Sequence, residues 1–154
     1  MSEDSGATPP PYVLDLSVAV AVARFDASVM TLIQGYDARG QLLVVPVLAL
    51  TGASLDVRTE DADDLLEGLE RLGNAEVALL RDAEQAVRLA AVIARTALDT
   101  WDAHVAAVAD ASVCPILTLD AGKWRQHSED LDEPLHIIEI ADPDETPGDA
   151  GVAD

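Results

Sequence analysis

The stretch WDAHVAAVADASVCPILTLDAGKW, residues 101–124, combines a helical pattern, an apolar strand and the start of a second helix. Asp102 lies in the first turn of the first helix, and Asp120 is the last residue of the strand. The strand is a continuous apolar run, which is typical of a parallel strand with both faces buried. The stretch therefore predicts a helix–strand–helix unit with one aspartate on either side of a buried segment.

The rest of the chain continues this alternation of apolar strands and helices. Apolar residues recur at helical spacing from residue 18 to a stop signal at Gly40, which predicts one long helix there. Asp99 is positioned to cap a helix over residues 100–112. The predicted strands are residues 12–17, 41–46, 75–80, 114–120 and 135–140. Such alternation indicates an α/β fold with a mostly parallel sheet of about five strands and helices on both faces.

The length of 154 residues suits one domain with one core. We predict that this domain spans residues 12–140. The Pro-rich and acidic segment of residues 1–11 is expected to be a disordered leader. Residues 141–154 are acidic, contain Pro and Gly, and are expected to be a disordered tail.

The formal net charge of −20 is unevenly distributed. Residues 126–154 contain ten acidic residues and no Lys or Arg, whereas residues 5–125 contain seventeen acidic and nine basic residues. This balance weighs against generic nucleic-acid binding, which needs clustered Lys and Arg to displace counter-ions. It does not exclude a nuclease, because salt screens charges beyond about 8 Å and a local Arg cluster or a metal can dominate a site.

Cysteine content and hydropathy bear on the compartment. Cys114 is the single cysteine and lies in an apolar stretch, so we expect a buried structural thiol in a reducing cytoplasm. The N-terminus lacks the basic start and apolar run of a signal peptide. No apolar stretch approaches the roughly 20 residues that cross a bilayer, so no membrane association is expected.

Three aspartates are placed to meet at one edge of the predicted sheet. Asp15 lies near the end of the first predicted strand and Asp120 at the end of the fourth, and Asp102 lies in the first turn of the helix that leads into the fourth strand. Ligands of open parallel sheets gather at the carboxyl ends of the strands. Converging carboxylates repel one another unless a cation such as Mg²⁺ or Mn²⁺ is bound. Each aspartate also has a simpler interpretation as a helix cap or a first-turn acid, and the sequence leaves both open.

The segments YVLDLSVAV, LLVVPVLAL and DAHVAAVADASVCPILTLDAGKW resemble the PIN domain in order and spacing, over residues 12–140. The resemblance implies a Rossmann-like, three-layer α/β/α sandwich with Mg²⁺- or Mn²⁺-dependent ribonuclease activity on RNA. It also implies a toxin paired with an antitoxin. Asp15, Asp102 and Asp120 would be the catalytic metal ligands. Ser17 would support Asp15, and Thr118 would orient Asp120 or approach the metal.

One departure from the PIN pattern divides the functional hypotheses. Gly52 stands where the family usually has a glutamate, and Asp56, one helical turn later, is a candidate replacement ligand. The first hypothesis is an active ribonuclease. The second is a catalytically degenerate PIN-fold module that binds a protein partner, and the third is an unrelated doubly wound domain whose acids are only caps. Whether the chain forms a homodimer is left open.

Several basic and aromatic residues allow two interpretations each, one functional and one structural. Lys123 and Arg125 follow Asp120 closely and fit either a phosphate contact or surface solvation. Trp101 and Trp124 are expected to pack in the core or at its rim, with base stacking as the alternative. Arg81, Arg88 and Arg95 recur every seven residues, which predicts a stripe on one helix that either binds a partner or forms local ion pairs.

Overall fold

The computed structural model describes residues 9–131 and 135–140. The predicted tail at residues 141–154, and all of the predicted leader except residues 9–11, lie outside these described residues.

Five parallel strands form the central sheet, in the order β3-β2-β1-β4-β5. The strands are β1 Tyr12–Leu14, β2 Leu43–Pro46, β3 Ala75–Ala78, β4 Ile116–Thr118 and β5 Ile137–Glu139. Each of the five predicted strands is present, although each is shorter than predicted. The strand order changes direction at β1, with β2 and β3 on one side of it and β4 and β5 on the other. A doubly wound sheet binds its ligands in the crevice at such a switch point, which here lies beside β1.

Seven helices cover the two faces of the sheet within the described part of the chain. They are α1 Leu16–Ala23, α2 Ala27–Ala38, α3 Val47–Val57, α4 Glu60–Glu70, α5 Ala83–Thr96, α6 Thr100–Ser112 and α7 Ala121–Ser128. One hydrophobic core joins α1, α2 and α4 to the sheet, and a second joins α5, α6 and α7 to it. Helix α3 contributes to both cores. The predicted α/β/α sandwich is therefore confirmed.

The single helix predicted from residue 18 to Gly40 is wrong, because the structure has two helices there that meet at 113°. Asp26 separates the two helices, because its side chain accepts hydrogen bonds from the backbone N–H groups of Ser28 and Val29 and so caps α2. Phe25 turns the chain with a φ of +63° and is 69% exposed. No single helix in the described ranges is long and apolar enough to span a bilayer, and α1 and α2 reach that length only as this bent pair.

Candidate functional site

The structure brings Asp15, Thr118 and Asp120 to the same edge of the sheet. Strands β1 and β4 pair in parallel, with Leu14 beside Leu117, so the residues that follow them emerge together. Asp15 caps α1 and Asp120 caps α7. Asp102 lies in the first turn of α6, behind the predicted cap Asp99, whose side chain accepts a hydrogen bond from the Asp102 N–H.

Asp15 is fully buried and accepts four hydrogen bonds. Its Oδ1 accepts from the Ser17 hydroxyl at 2.6 Å and from the Val18 N–H at 3.0 Å. Its Oδ2 accepts from the Thr118 hydroxyl at 2.5 Å and from the Trp124 indole N–H at 2.8 Å. A carboxylate offers about four lone-pair positions, so these four donors leave Asp15 no oxygen lone pair for a further ligand.

The hydroxyls of Ser17 and Thr118 are committed to this network. Ser17 Oγ donates to Asp15 and accepts from the backbone N–H of Leu119 at 2.9 Å. Thr118 Oγ1 donates to Asp15 and accepts from the backbone N–H of Asp120 at 2.9 Å. The two hydroxyls therefore join the ends of β1 and β4 through Asp15, and the expected support of Asp15 by Ser17 is present.

Asp102 forms a buried ion pair with Lys123 of α7. Lys123 Nζ lies 3.1 Å from both carboxylate oxygens, and the two side chains are 26% and 7% exposed for Lys123 and Asp102 respectively. Burial raises the pKa of the Asp102 carboxyl above its ordinary value of 3.8, and Lys123 opposes that rise. The nearby acids Asp99 and Asp15 act in the same direction as burial.

Lys123 and Trp124 are the site residues whose roles the sequence analysis missed. Trp124 is buried completely and Lys123 Nζ lies 5.2 Å from the centroid of its ring. Both side chains come from the first turns of α7, directly after the Asp120 cap. Their closeness to Asp120 in the sequence indicated the end of the sheet, but it did not identify Asp102 or Asp15 as their partners.

Asp120 lies at the border of the cluster rather than inside it. Its side chain is exposed, and its Oδ1 accepts a hydrogen bond from the backbone N–H of Lys123 at 3.2 Å. This contact is that of a helix cap, which is the simpler interpretation that the sequence left open.

Gly52 of α3 is buried under Trp101 of α6. A Cβ atom at Gly52 would lie 2.9 Å from Trp101 Cγ and 3.0 Å from Leu16 Cδ1, closer than side chains normally approach. The tryptophan and the glycine therefore pack as a pair, and no larger residue fits at position 52 without a shift of Trp101. A longer side chain at position 52 would meet the indole ring.

Asp56 forms an ion pair with an arginine at the surface. Its Oδ2 lies 2.9 Å from Nη2 of Arg24, which follows the end of α1. The two side chains are 47% and 64% exposed. The described contacts of Asp56 are those of a surface ion pair and give no support to its role as a replacement ligand.

A divalent ion does not fit these contacts. Both oxygens of Asp15 accept from uncharged donors, and both oxygens of Asp102 accept from Lys123. Within residues 9–131 and 135–140, no group of three or more His, Cys, Asp or Glu side chains is arranged to hold a metal. Mg²⁺ needs free oxygen ligands in near-octahedral geometry. Asp15, Asp102 and their hydrogen-bond partners form a polar network in which Lys123 supplies the positive charge.

Of the three arginines predicted to form a stripe on one helix, Arg88 and Arg95 lie on α5, whereas Arg81 precedes the helix and its cap Asp82. Arg88 forms an ion pair with Glu84, at 3.1 Å across one helical turn. Arg81 and Arg88 line a cavity of about 300 Å³ between β3, α5 and α6. The ion pair agrees with the local pairing that the sequence spacing allowed.

Comparison with known proteins identifies a similar fold. No family model matches the sequence, and no curated protein matches it. The structure is similar to a chain in the crystal structure of VapBC2 from Rickettsia felis bound to a DNA fragment from their promoter, with a TM-score of 0.61. The sequences are 12% identical, and the match covers 84% of this chain and 98% of that chain. At this identity the likeness shows the fold, and it supports the PIN-like fold expected from the sequence.

Proposed function

We propose that this chain is a PIN-fold module that binds a protein partner and does not hydrolyse RNA. The observation that carries the proposal is the use of the Asp15 and Asp102 carboxylates by donors of the chain itself. A metal-activated water needs a metal with open coordination positions, and that metal needs oxygen ligands that are free. A PIN-like fold in which the carboxylates of Asp15 and Asp102 are already hydrogen-bonded within the chain favours a role in binding.

Helix α4 and the two grooves beside it are the surface best suited to a protein partner. On its α3 side is a groove of about 460 Å³, with Leu50, Leu55 and Leu66 among its lining residues. On its α2 side is an apolar groove of about 180 Å³, with Met30, Ile33 and several leucines among its lining residues. Leu55 is 54% exposed, so apolar surface is available to a partner.

The charge of α4 indicates which partner the grooves suit. The helix has six acidic residues and no basic residue: Glu60, Asp61, Asp63, Asp64, Glu67 and Glu70. An amphipathic helix with apolar residues on one face and Lys or Arg at its margins would bury its apolar face in a groove and pair with these acids. The similar R. felis structure is of VapBC2 on promoter DNA, and the PIN resemblance implies an antitoxin as the partner of this chain.

A binding experiment with charge reversal tests this proposal. Where an adjacent reading frame encodes a small protein, the chain is co-expressed with it, and the complex is measured by size-exclusion chromatography with light scattering. The double variant Glu67→Lys, Glu70→Lys should weaken the complex and reduce its salt dependence, because both residues line the α3–α4 groove. Lysines are tolerated near a helix C-terminus, so the variant should fold. Asp110→Lys, at an exposed position of α6, is the matched control and should bind normally.

The metal-dependent ribonuclease expected from the resemblance is the competing hypothesis. It requires Asp15, Asp102 and Asp120 to bind Mg²⁺ or Mn²⁺, and every carboxylate oxygen of the first two already accepts a hydrogen bond from within the chain. RNA cleavage is measured with the wild type and with Asp102→Asn in the presence of MnCl₂. We expect no cleavage above background from either. Mn²⁺-dependent cleavage by the wild type that Asp102→Asn abolishes would refute the proposed function.

A further inference from the structure

We propose that the ammonium group of Lys123 takes the place of a divalent cation at this sheet edge. The chain would then carry its own counter-ion for Asp102, which makes converging carboxylates tolerable without metal. This inference rests on the proposed function, because it explains how a module that binds no metal retains the acids of a metal site.

The contact between Lys123 and Asp102 is that of a cation on a chelating carboxylate. Nζ is equidistant from the two oxygens, at 3.1 Å, and the carboxylate is almost fully withdrawn from water. The same ammonium group lies over the Trp124 ring, 5.2 Å from the ring centroid. A single positive charge therefore has a carboxylate and an aromatic ring as neighbours.

The identity of the residue supports this role. Lys123 is the only lysine among the 154 residues, whereas the chain has eight arginines. Arginine spreads its charge over a planar fork, and lysine carries a compact point charge with donors that rotate freely. A compact cation is also what a divalent metal ion supplies. Position 123, whose side chain contacts both oxygens of Asp102, is therefore a lysine, which resembles a metal ion more closely than an arginine does.

Removal of the ammonium group should let a metal ion replace it. Mg²⁺ and related ions are commonly held by one or two carboxylates while they keep several waters. Without Lys123, the Asp102 carboxylate would be free and uncompensated, with Asp15 near enough to interact with it electrostatically. A divalent ion would relieve this buried negative charge, so weak metal binding should be gained by the variant.

Thermal unfolding of the full chain, with and without millimolar MnCl₂, tests this exchange. The wild type should show no change in Tm. Lys123→Ala should have a lower Tm without metal and regain several degrees with Mn²⁺, because a ligand that binds the native state stabilises it. Lys123→Ala combined with Asp102→Asn should lose the Mn²⁺ response. Lys123→Arg keeps the charge and should not respond to Mn²⁺.

Lys123→Gln is the second variant, since it retains a hydrogen-bond donor without the charge. A folded Lys123→Ala or Lys123→Gln that does not respond to Mn²⁺ overturns the inference and leaves the proposed function intact. A Mn²⁺ response of the wild type overturns the proposed function instead. If neither variant folds alone, refolding that succeeds only with Mn²⁺ supports the inference, and refolding that fails with and without it overturns the inference.

Discussion

The carboxylates of Asp15 and Asp102 lie buried at the end of the sheet, whereas most of the acids of α4 lie exposed beside open grooves. In the first region every carboxylate oxygen accepts at least one hydrogen bond from within the chain. In the second, Glu67 reaches Arg71 only at 3.8 Å and both side chains are largely solvated. Acidic side chains are therefore bonded within the fold in one region and mostly solvated in the other.

Solvent access accounts for the difference. A charge removed from water is tolerated only when it is paired and hydrogen-bonded, so the buried acids must be satisfied internally. An exposed acid keeps its water and pays no such penalty, so its pairing contributes little. The difference predicts large effects for substitutions at the sheet edge and small effects for matched substitutions at the surface.

The largest effect is expected from Lys123→Met. It leaves Asp102 as a buried, unpaired charge, and we expect a loss of about 3 kcal/mol in the free energy of unfolding at neutral pH, near the lower end for buried pairs because Lys123 is partly exposed. Urea unfolding measures the loss. The double variant Lys123→Met, Asp102→Asn should recover much of it. A double variant no more stable than Lys123→Met alone would show that the two residues are not coupled.

The same variant should have a distinct dependence on pH. Burial already raises the pKa of Asp102 above 3.8, and without Lys123 the opposing effect is lost, so the folded-state pKa should rise further. A raised folded-state pKa means that the native state binds the proton more tightly, so the free energy of unfolding falls as pH rises through that interval. The deficit of Lys123→Met relative to wild type should therefore shrink as pH is lowered towards 3.8. Urea unfolding of both proteins across this range checks it, and a constant deficit would contradict it.

Trp124→Phe should have the next largest effect. It removes one of the four donors to the buried carboxylate of Asp15, and a hydrogen bond to a charged group contributes about 1.5–3 kcal/mol. Thermal unfolding measures the loss. Trp101→Phe is the matched control, since the described contacts of Trp101 include no hydrogen bond and its loss should be smaller. Equal losses would mean that packing, rather than the bond to Asp15, dominates at Trp124.

Gly52→Ala and Gly68→Ala should change stability in opposite directions. Alanine at position 52 would overlap Trp101 and Leu16, and overpacking of about 1–3 kcal/mol outweighs the gain in helix propensity of about 1 kcal/mol. Position 68 on α4 has open space around a Cβ atom, so alanine there should stabilise by up to about 1 kcal/mol. Thermal unfolding of both variants checks the prediction. Stabilisation by both would show that Trp101 does not restrict position 52.

The smallest effect is expected from Asp56→Asn. This substitution removes the ion pair with Arg24. The side chains of Asp56 and Arg24 are 47% and 64% exposed. Exposed pairs contribute about 0–1 kcal/mol, so the free energy of unfolding should change by less than that. Urea unfolding at low and high salt measures it. A loss as large as that of Lys123→Met would show that the exposed pair contributes as much to stability as the buried one, which would contradict the comparison of the two regions.

The order of elements could be predicted from the sequence, but the pairing at the site could not. Asp99 and the apolar spacing after it define α6 over residues 100–112, as observed. Asp15 and Thr118 meet because both are at the ends of parallel strands, which apolar runs reveal. The contact of Lys123 with Asp102 joins residues 21 positions apart on different helices, so it depends on how α7 folds back over β4. Local patterns do not contain that information.

The close packing of Trp101 on Gly52 could not be predicted from the sequence either. The resemblance led us to expect a glutamate at position 52, but the contact of Trp101 with Gly52 depends on how α3 and α6 pack. Phe25 misled the prediction for a different reason, since its apolar character matched the helical spacing although it occupies an exposed turn with positive φ. Tertiary contacts and the Asp26 cap override the periodicity there.

Lysine-selective NMR offers the most direct test of the claim that Lys123 occupies the cation position, because the chain has one lysine and should give one side-chain signal. The protein is labelled with ¹³C,¹⁵N-lysine and titrated with paramagnetic Mn²⁺ at neutral pH. An ion bound at Asp102 would lie within a few ångströms of Nζ, or would displace it, and would broaden or shift this signal. We predict that the signal remains sharp and unshifted at millimolar Mn²⁺, with a chemical shift characteristic of an ion-paired ammonium. Loss of the signal at low Mn²⁺ concentration would contradict the account.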